Sequence, residues 1–255
     1  MNRLVLIAMV IAAMILSAIP VVRWPFNLLE TFFHEISHGL AAILTGGSID
    51  RIELHWRGSG LCYTRGGIRF FISFAGYAGA VVWGAMIYLA ATATRPRHAT
   101  GMATFLAIVV GASTLLWMRD PISLIIGSAL TGLFVVAVKW GTGPLLRPAL
   151  QFCGLYVLLD AVRSPMHQLY ALSSDSHTLA RMTMIPSVVW IATWIGIGLG
   201  GFYYVWKHAE KARGVLDSIT PAPQRTSAAP VVTQPPPSTP SPRSTSKGGS
   251  PFDGL

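Results

Sequence analysis

Charged residues are scarce in this chain of 255 residues. Asp, Glu, Lys and Arg make up 11% of it, and only 10 residues are acidic. Because soluble domains average about 25% charged residues, this scarcity excludes an ordinary soluble domain. Hydrophobic residues make up 52%, which is the composition of a protein embedded in a membrane.

Cysteine is also nearly absent. Cys62 and Cys153 lie far apart, and the chain has no C-x-x-C pair, so neither a thiolate zinc site nor a disulfide framework is indicated. The net charge is +9, but the basic residues are scattered singly through loops without interleaved aromatic residues. We therefore predict no nucleic-acid partner, and we interpret these residues as anchors at the membrane surface.

Long uncharged runs predict membrane-spanning helices. Two further apolar segments contain charged residues but are also counted as predicted spans: Asn27–Leu44 and Pro144–Val162. We therefore expect a mainly α, polytopic membrane helix bundle of about six to seven spans, an integral multi-pass protein of a bacterial cell membrane. The uncharged runs, each long enough to cross a hydrocarbon core of about 30 Å, are Leu4–Val22, Phe70–Thr94, Gly101–Met118, Pro121–Val138 and Met182–Trp206.

The composition changes abruptly towards the carboxyl terminus. Nine of the 17 prolines fall in Pro221–Pro251, among Ser, Thr, Gly and Gln residues. Such a segment cannot bury apolar surface. We predict a membrane domain at residues 1–213 and a disordered Pro/Ser/Thr-rich tail at residues 214–255.

The segment after Gly46-Gly47 has a different periodicity. Ile52, Leu54 and Trp56 alternate with polar residues, which is the period of a strand. Gly58-Ser59-Gly60 supplies a turn, and the following residues can form a return strand. We predict a β-hairpin here, which either offers an edge for strand addition by an unwound peptide or packs over the helix ends.

The sequence Phe33-His34-Glu35-Ile36-Ser37-His38-Gly39 is an H-E-x-x-H motif inside an apolar segment. On an α-helix, His34 and His38 project from the same face and can bind one metal ion. Glu35 lies about 100° round the helix, so it is free to act as the general base on an activated water. The pattern predicts a zinc site with Glu35 as the catalytic residue.

Further blocks of sequence carry a resemblance to a known family. The residues His34-Glu-Ile-Ser-His-Gly-Leu-Ala-Ala-Ile-Leu-Thr-Gly-Gly47, Ser59-Gly60 and Ala75-Gly-Tyr-Ala-Gly79 resemble the M50B-like membrane metallopeptidases, which are relatives of the site-2 proteases. A later block, Ser174-Asp-Ser-His-Thr-Leu-Ala-Arg-Met-Thr183, is similar to the same family. The resemblance covers residues 25–200 and implies that His34 and His38 bind Zn²⁺ and that Glu35 activates water.

A catalytic zinc site needs a third protein ligand. Site-2 proteases take it from an Asp-Gly pair in a later span, and this chain has no such pair in its spans. We favour Asp160, because an ionisable residue in an apolar span is a functional candidate and Leu159-Asp160 is similar to the family pattern. A salt bridge with Arg163 is the structural alternative for Asp160. The remaining candidates are Asp175, Asp120, Glu30, His167, His177 and water.

Two functions are compatible with these features. The first is a membrane-embedded zinc metalloendopeptidase that cleaves membrane-associated proteins or peptides within the lipid bilayer. The second is a non-proteolytic scaffold or transporter that retains a structural metal site. Because backbone amides in a membrane helix are shielded, a peptidase substrate would have to unwind before cleavage.

Overall fold

Helices form most of the part of the chain that the structure describes. The structure is a computed structural model that describes residues 3–93, 96–140, 145–170 and 174–209. The predicted tail at residues 214–255 lies outside the described residues. The elements are α1 (Arg3–Ser17), α2 (Pro20–Leu44), β1 (Ser48–His55), β2 (Ser59–Arg65), α3 (Arg69–Thr92), α4 (Pro96–Trp117), α5 (Pro121–Trp140), α6 (Leu146–Arg163), a 3₁₀ helix (Ser164–Tyr170), α7 (Asp175–Thr183) and α8 (Ser187–Ala209).

Four of the described helices, α3, α4, α5 and α8, are long and apolar enough to cross a membrane. A fifth span results if α1 and α2, which are bent by 107° at a short break, are counted as one. The multi-pass helical architecture is confirmed, with fewer spans than the six to seven predicted. The predicted run Leu4–Val22 is interrupted at the α1–α2 break, and α6 carries Arg147, Asp160 and Arg163.

Helix α3 packs closely against its neighbours through glycines. A Cβ on Gly84 would lie 2.9 Å from the backbone oxygen of Gly154 in α6. On the opposite part of the helix, a Cβ on Gly79 would collide with the Ser37 side chain of α2. The small-residue face that the sequence indicates in α3 therefore allows close approach of both α2 and α6.

The predicted β-hairpin is present and packs on α2. Strands β1 and β2 are antiparallel, with Ile52 opposite Cys62 and Leu54 opposite Gly60. Ile52 and Leu54 are fully buried, as their alternation indicates. Thr31 of α2 donates a side-chain hydrogen bond of 2.9 Å to the backbone oxygen of Gly58 in the turn. These contacts attach the hairpin to α2.

The two outer edges of the hairpin differ. The Ser123 hydroxyl of α5 accepts a 2.7 Å hydrogen bond from the Leu54 N–H and donates a 3.4 Å bond to the Leu54 backbone oxygen. The backbone groups of Leu54 thus point away from β2, which is the geometry of a non-hydrogen-bonded antiparallel pair. By the same alternation, Gly60, Cys62 and Thr64 direct their backbone groups away from β1. Helix α5 covers the β1 edge at Leu54, whereas the outer edge of β2 borders a cavity.

Candidate metal centre

His34 and His38 lie one turn apart on α2 and face each other. Their Nε2 atoms are 3.0 Å apart, and their rings are nearly perpendicular, at an interplanar angle of 86°. This is the arrangement that four-residue spacing on a helix dictates. Two imidazole nitrogens therefore converge on one point.

A carboxylate completes a triangle with these nitrogens. Oδ2 of Asp175 lies 3.3 Å from Nε2 of His34 and 3.4 Å from Nε2 of His38. Ligand atoms at about 2.0–2.1 Å from a tetrahedral zinc ion lie roughly 3.3–3.4 Å apart, so the three observed distances of 3.0, 3.3 and 3.4 Å fit such an ion. Among the described residues, His34, His38 and Asp175 are the group with metal-ligand geometry.

The structure does not bring Asp160, the third ligand favoured from the sequence, to this triangle. Asp160 lies on α6, and its charged neighbours include Arg163, Arg23 and Glu30. The two arginines partly offset the burial of this carboxylate without a metal. The group with ligand geometry therefore contains Asp175 and not Asp160.

The other candidates have separate positions. The Asp120 carboxylate accepts a 2.9 Å hydrogen bond from the Ser123 N–H at the start of α5, which is an amino-terminal cap. Glu30 is buried and accepts a 3.5 Å bond from the Ser164 hydroxyl. His177 pairs through Nδ1 with the Ser174 hydroxyl at 3.0 Å, and His167 borders the cavity.

The His38 ring is oriented by a second contact. Its Nδ1–H donates a 2.6 Å hydrogen bond to the backbone oxygen of Ile72 in α3. This bond favours the tautomer whose Nε2 lone pair faces the triangle. The His34 ring packs edge-on against Tyr77, with ring centroids 4.4 Å apart.

Gly76 of α3 makes room for both imidazoles. A Cβ at this position would lie 2.6 Å from Cε1 of His34 and 2.6 Å from Cε1 and Nε2 of His38. A residue with a side chain could not lie so close to the two rings, so glycine is required at this position of α3. The Ala75-Gly-Tyr-Ala-Gly79 block therefore has a direct relation to the metal centre.

Asp175 is suited to act as an anionic ligand. Burial alone would raise the pKa of its carboxyl group, but the facing imidazoles of His38 and His34 hold that pKa well below its usual range. Asp175 is the first residue of α7, where the helix dipole also favours a negative charge. The carboxyl group is therefore ionised at neutral pH.

Glu35 lies beside the triangle, between α2 and β2. It is 6% exposed, and its carboxylate accepts a hydrogen bond from the backbone N–H of Cys62. A Cβ on Gly60 would lie 2.7 Å from Cγ of Glu35, so the glycine at this point of β2 gives the glutamate its space. Burial, followed by the nearby Glu35 charge, raises the pKa of the Cys62 thiol to about 12. The thiol is consequently neutral at ordinary pH.

These groups border one cavity of about 910 Å³. Its wall contains the two histidines, Glu35 and Asp175, together with Gly60, Cys62 and Thr64 of the β2 edge. The candidate ligands, the candidate base and the outward backbone groups of β2 thus all border the same cavity. An extended peptide of several residues fits into a cavity of this size.

Comparison with known proteins gives one family. The family model described as Peptidase M50B-like matches residues 6–205, a segment that includes His34, Glu35, His38 and Asp175. No curated protein and no solved structure matches the chain.

Proposed function

The chain belongs to the Peptidase M50B-like family, which implies a metallopeptidase, and we propose that it is a membrane-embedded zinc endopeptidase that cleaves membrane-associated proteins. The observation that carries the proposal is the triangle of His34, His38 and Asp175, with edges of 3.0, 3.3 and 3.4 Å. Its dimensions suit a tetrahedral zinc ion, and it borders a cavity that also contains Glu35.

The three ligands and the base have separate roles. His34, His38 and Asp175 would hold Zn²⁺, with one coordination position left open. Zinc at this position would supply Lewis acidity, lowering the pKa of a water molecule to about 7 and polarising the scissile carbonyl group. Glu35 accepts the proton of the attacking water and then donates it to the leaving amine.

The position of Glu35 supports its role as general base. Its carboxylate is almost fully buried and is oriented by the Cys62 N–H, so it does not rotate freely. It lies one residue from His34 on the helix, but it faces the hairpin through its contact with Gly60. This separation leaves Glu35 outside the ligand set and available for proton transfer.

The β2 edge supports binding of the substrate as an extended strand. Gly60, Cys62 and Thr64 direct their backbone groups into the cavity. The Cys62 N–H is taken by Glu35, and an added strand would pair with the remaining groups. The opposite edge is occupied at Leu54 by Ser123. Because the amides of a membrane helix are paired internally, the substrate has to unwind before it binds here.

The second function, a scaffold or transporter with a structural metal site, is less well supported. Structural zinc sites are usually closed by four protein ligands. In the described part of the chain, the group with ligand geometry has three members, and a cavity of about 910 Å³ adjoins it. An open position beside a large cavity is the arrangement of a catalytic site.

Zinc content and cleavage, measured on full-length protein in detergent, test the proposal. We expect Asp175→Ala to lose zinc and Asp160→Ala to keep it, since only Asp175 contacts the imidazoles. Glu35→Gln should keep zinc but lose cleavage. Wild-type protein without zinc would refute the metal centre, and a fully active Glu35→Gln would refute the general base. Membrane proteins that accumulate uncleaved in a Glu35→Gln strain would identify the substrates.

A further inference from the structure

The short helix that carries Asp175 has an unusual amino-terminal cap. Helix α7 has nine residues, and Ser174 at its N-cap position makes no side-chain capping bond. The Ser174 hydroxyl contacts Nδ1 of His177 and the hydroxyl of Ser176, both at 3.0 Å. The backbone N–H groups of the first turn therefore need another acceptor.

That acceptor is Gln168, from the preceding 3₁₀ helix. Its Oε1 accepts a 3.0 Å hydrogen bond from the Ser176 N–H, and its side chain is buried, with 7% of the residue exposed. Gln168 thus caps α7 from a different element. A cap of this kind stabilises the start of a helix.

The Gln168 side chain also lies next to Tyr77, which packs on one of the two histidines of the metal centre. The Gln168 amide lies beside the Tyr77 hydroxyl, and the Tyr77 ring packs edge-on against His34 at 4.4 Å. One buried side chain therefore connects α7, which supplies the carboxylate, with the tyrosine that packs on an imidazole ligand. Within the described residues, Gln168 forms no hydrogen bond or ion pair with any of the three ligand side chains.

We propose that Gln168 is a positioning residue that keeps the Asp175 carboxylate directed at the two imidazoles; this inference rests on the proposed zinc site. An aspartate in the first turn of a helix readily accepts hydrogen bonds from the N–H groups of its own helix. Such a bond would turn the carboxylate away from His34 and His38. Because Gln168 already accepts the Ser176 N–H, it removes a competing donor and fixes the start of α7 at the site.

Three substitutions at one position test this role. Gln168→Met has a similar volume but removes the hydrogen bond to the Ser176 N–H, and Gln168→Asn keeps the amide but is one methylene too short to reach Ser176. Gln168→Glu retains an acceptor oxygen for the Ser176 N–H. The matched control is Gln151→Met, because Gln151 is also buried, on α6, and its Oε1 has no hydrogen-bond partner in the described residues.

The measurement is zinc affinity of the full-length protein in detergent, by competition with a chelating indicator. Residues that orient metal ligands typically contribute about 10–100-fold in affinity, so we expect a loss in that range for Gln168→Met and Gln168→Asn. Gln168→Glu and Gln151→Met should bind zinc as wild type does. Without zinc, Gln168→Asn should melt only slightly below Gln168→Glu, by the loss of one helix cap, whereas a general structural role predicts a large difference.

Wild-type affinity in both Gln168→Met and Gln168→Asn would overturn the inference, and so would an equal loss in Gln168→Glu. If Gln168→Met does not fold, the comparison of Gln168→Asn with Gln168→Glu decides. If wild-type protein binds no zinc, both the metal centre and the role of Gln168 are rejected. If it binds zinc but cleaves nothing, the peptidase proposal fails while the affinities still decide the role of Gln168.

Discussion

Gly76→Ala adds one methyl group at the point where α3 passes both histidine rings. The new Cβ would lie 2.6 Å from Cε1 of His34 and from Cε1 and Nε2 of His38. Neither ring can turn away easily, because His38 is hydrogen-bonded to the Ile72 backbone at 2.6 Å and His34 is packed against Tyr77. The methyl group therefore has to displace the rings or separate α2 from α3.

The size of the displacement exceeds what a zinc site tolerates. Carbon atoms in ordinary contact are about 3.5 Å apart, so the rings would have to move by roughly 0.9 Å. Metal–ligand distances in good sites vary by only about 0.2 Å. We therefore expect Gly76→Ala to lower zinc affinity by at least about 100-fold, which corresponds to about 2.8 kcal/mol.

Chelator competition on purified full-length protein measures the affinity, and elemental analysis gives the zinc content. Gly101→Ala on α4 is the matched control, since a Cβ there has no neighbour within 4 Å in the described residues. Replacing glycine by alanine in a helix is intrinsically favourable by about 1 kcal/mol, so loss of helix would not explain a loss of zinc. Wild-type zinc affinity in Gly76→Ala would refute the geometry of the centre.

Three further predictions follow from the same structure. Gly60→Ala should retain zinc but lose most cleavage activity, because its Cβ would lie 2.7 Å from Cγ of Glu35; parallel zinc and peptidase assays check this, and full activity would contradict it. Asp120→Ala should lower the free energy of unfolding by about 1 kcal/mol through loss of the α5 cap, with zinc content unchanged; chemical denaturation measures the first effect, and loss of zinc would show that Asp120 is a ligand after all. The Cys62 thiol, with its pKa raised to about 12 by burial and by Glu35, should react with iodoacetamide at pH 8 far more slowly than an ordinary cysteine; alkylation at the rate of a free model thiol would show that the thiol is not shielded.

Local spacing predicts the first half of the metal centre but not the second. His34 and His38 are one helical turn apart, so their convergence follows from helix geometry alone. Asp175 reaches them only through the docking of α7, a contact between distant parts of the chain that no local periodicity encodes. The sequence favours Asp160 because a charged carboxylate in an apolar helix is energetically costly without a partner. In the structure, Arg163 and Arg23 are its cationic neighbours. The Ser174–Thr183 block was the available signal for Asp175.

The membrane fold was predictable to a similar degree. Apolar runs and strand alternation indicate the helices and the hairpin, because both patterns are local. The run Leu4–Val22 looks like one continuous span, but the structure breaks it between Ser17 and Pro20 with a bend of 107°. Hydropathy does not register such a bend, since the residues on both sides of it are equally apolar. Pro20, at the start of α2, is the one local indication of a new helix.

The Ser123 hydroxyl also has a consequence for self-association. A hairpin with two open edges can pair with the same hairpin in another molecule, and repeated pairing leads to aggregation. By occupying both backbone groups of Leu54, Ser123 closes the β1 edge near the turn of the hairpin. A second hairpin cannot pair with β1 at this residue. A single serine on α5 thus makes the turn end of β1 a poor partner for an intermolecular sheet.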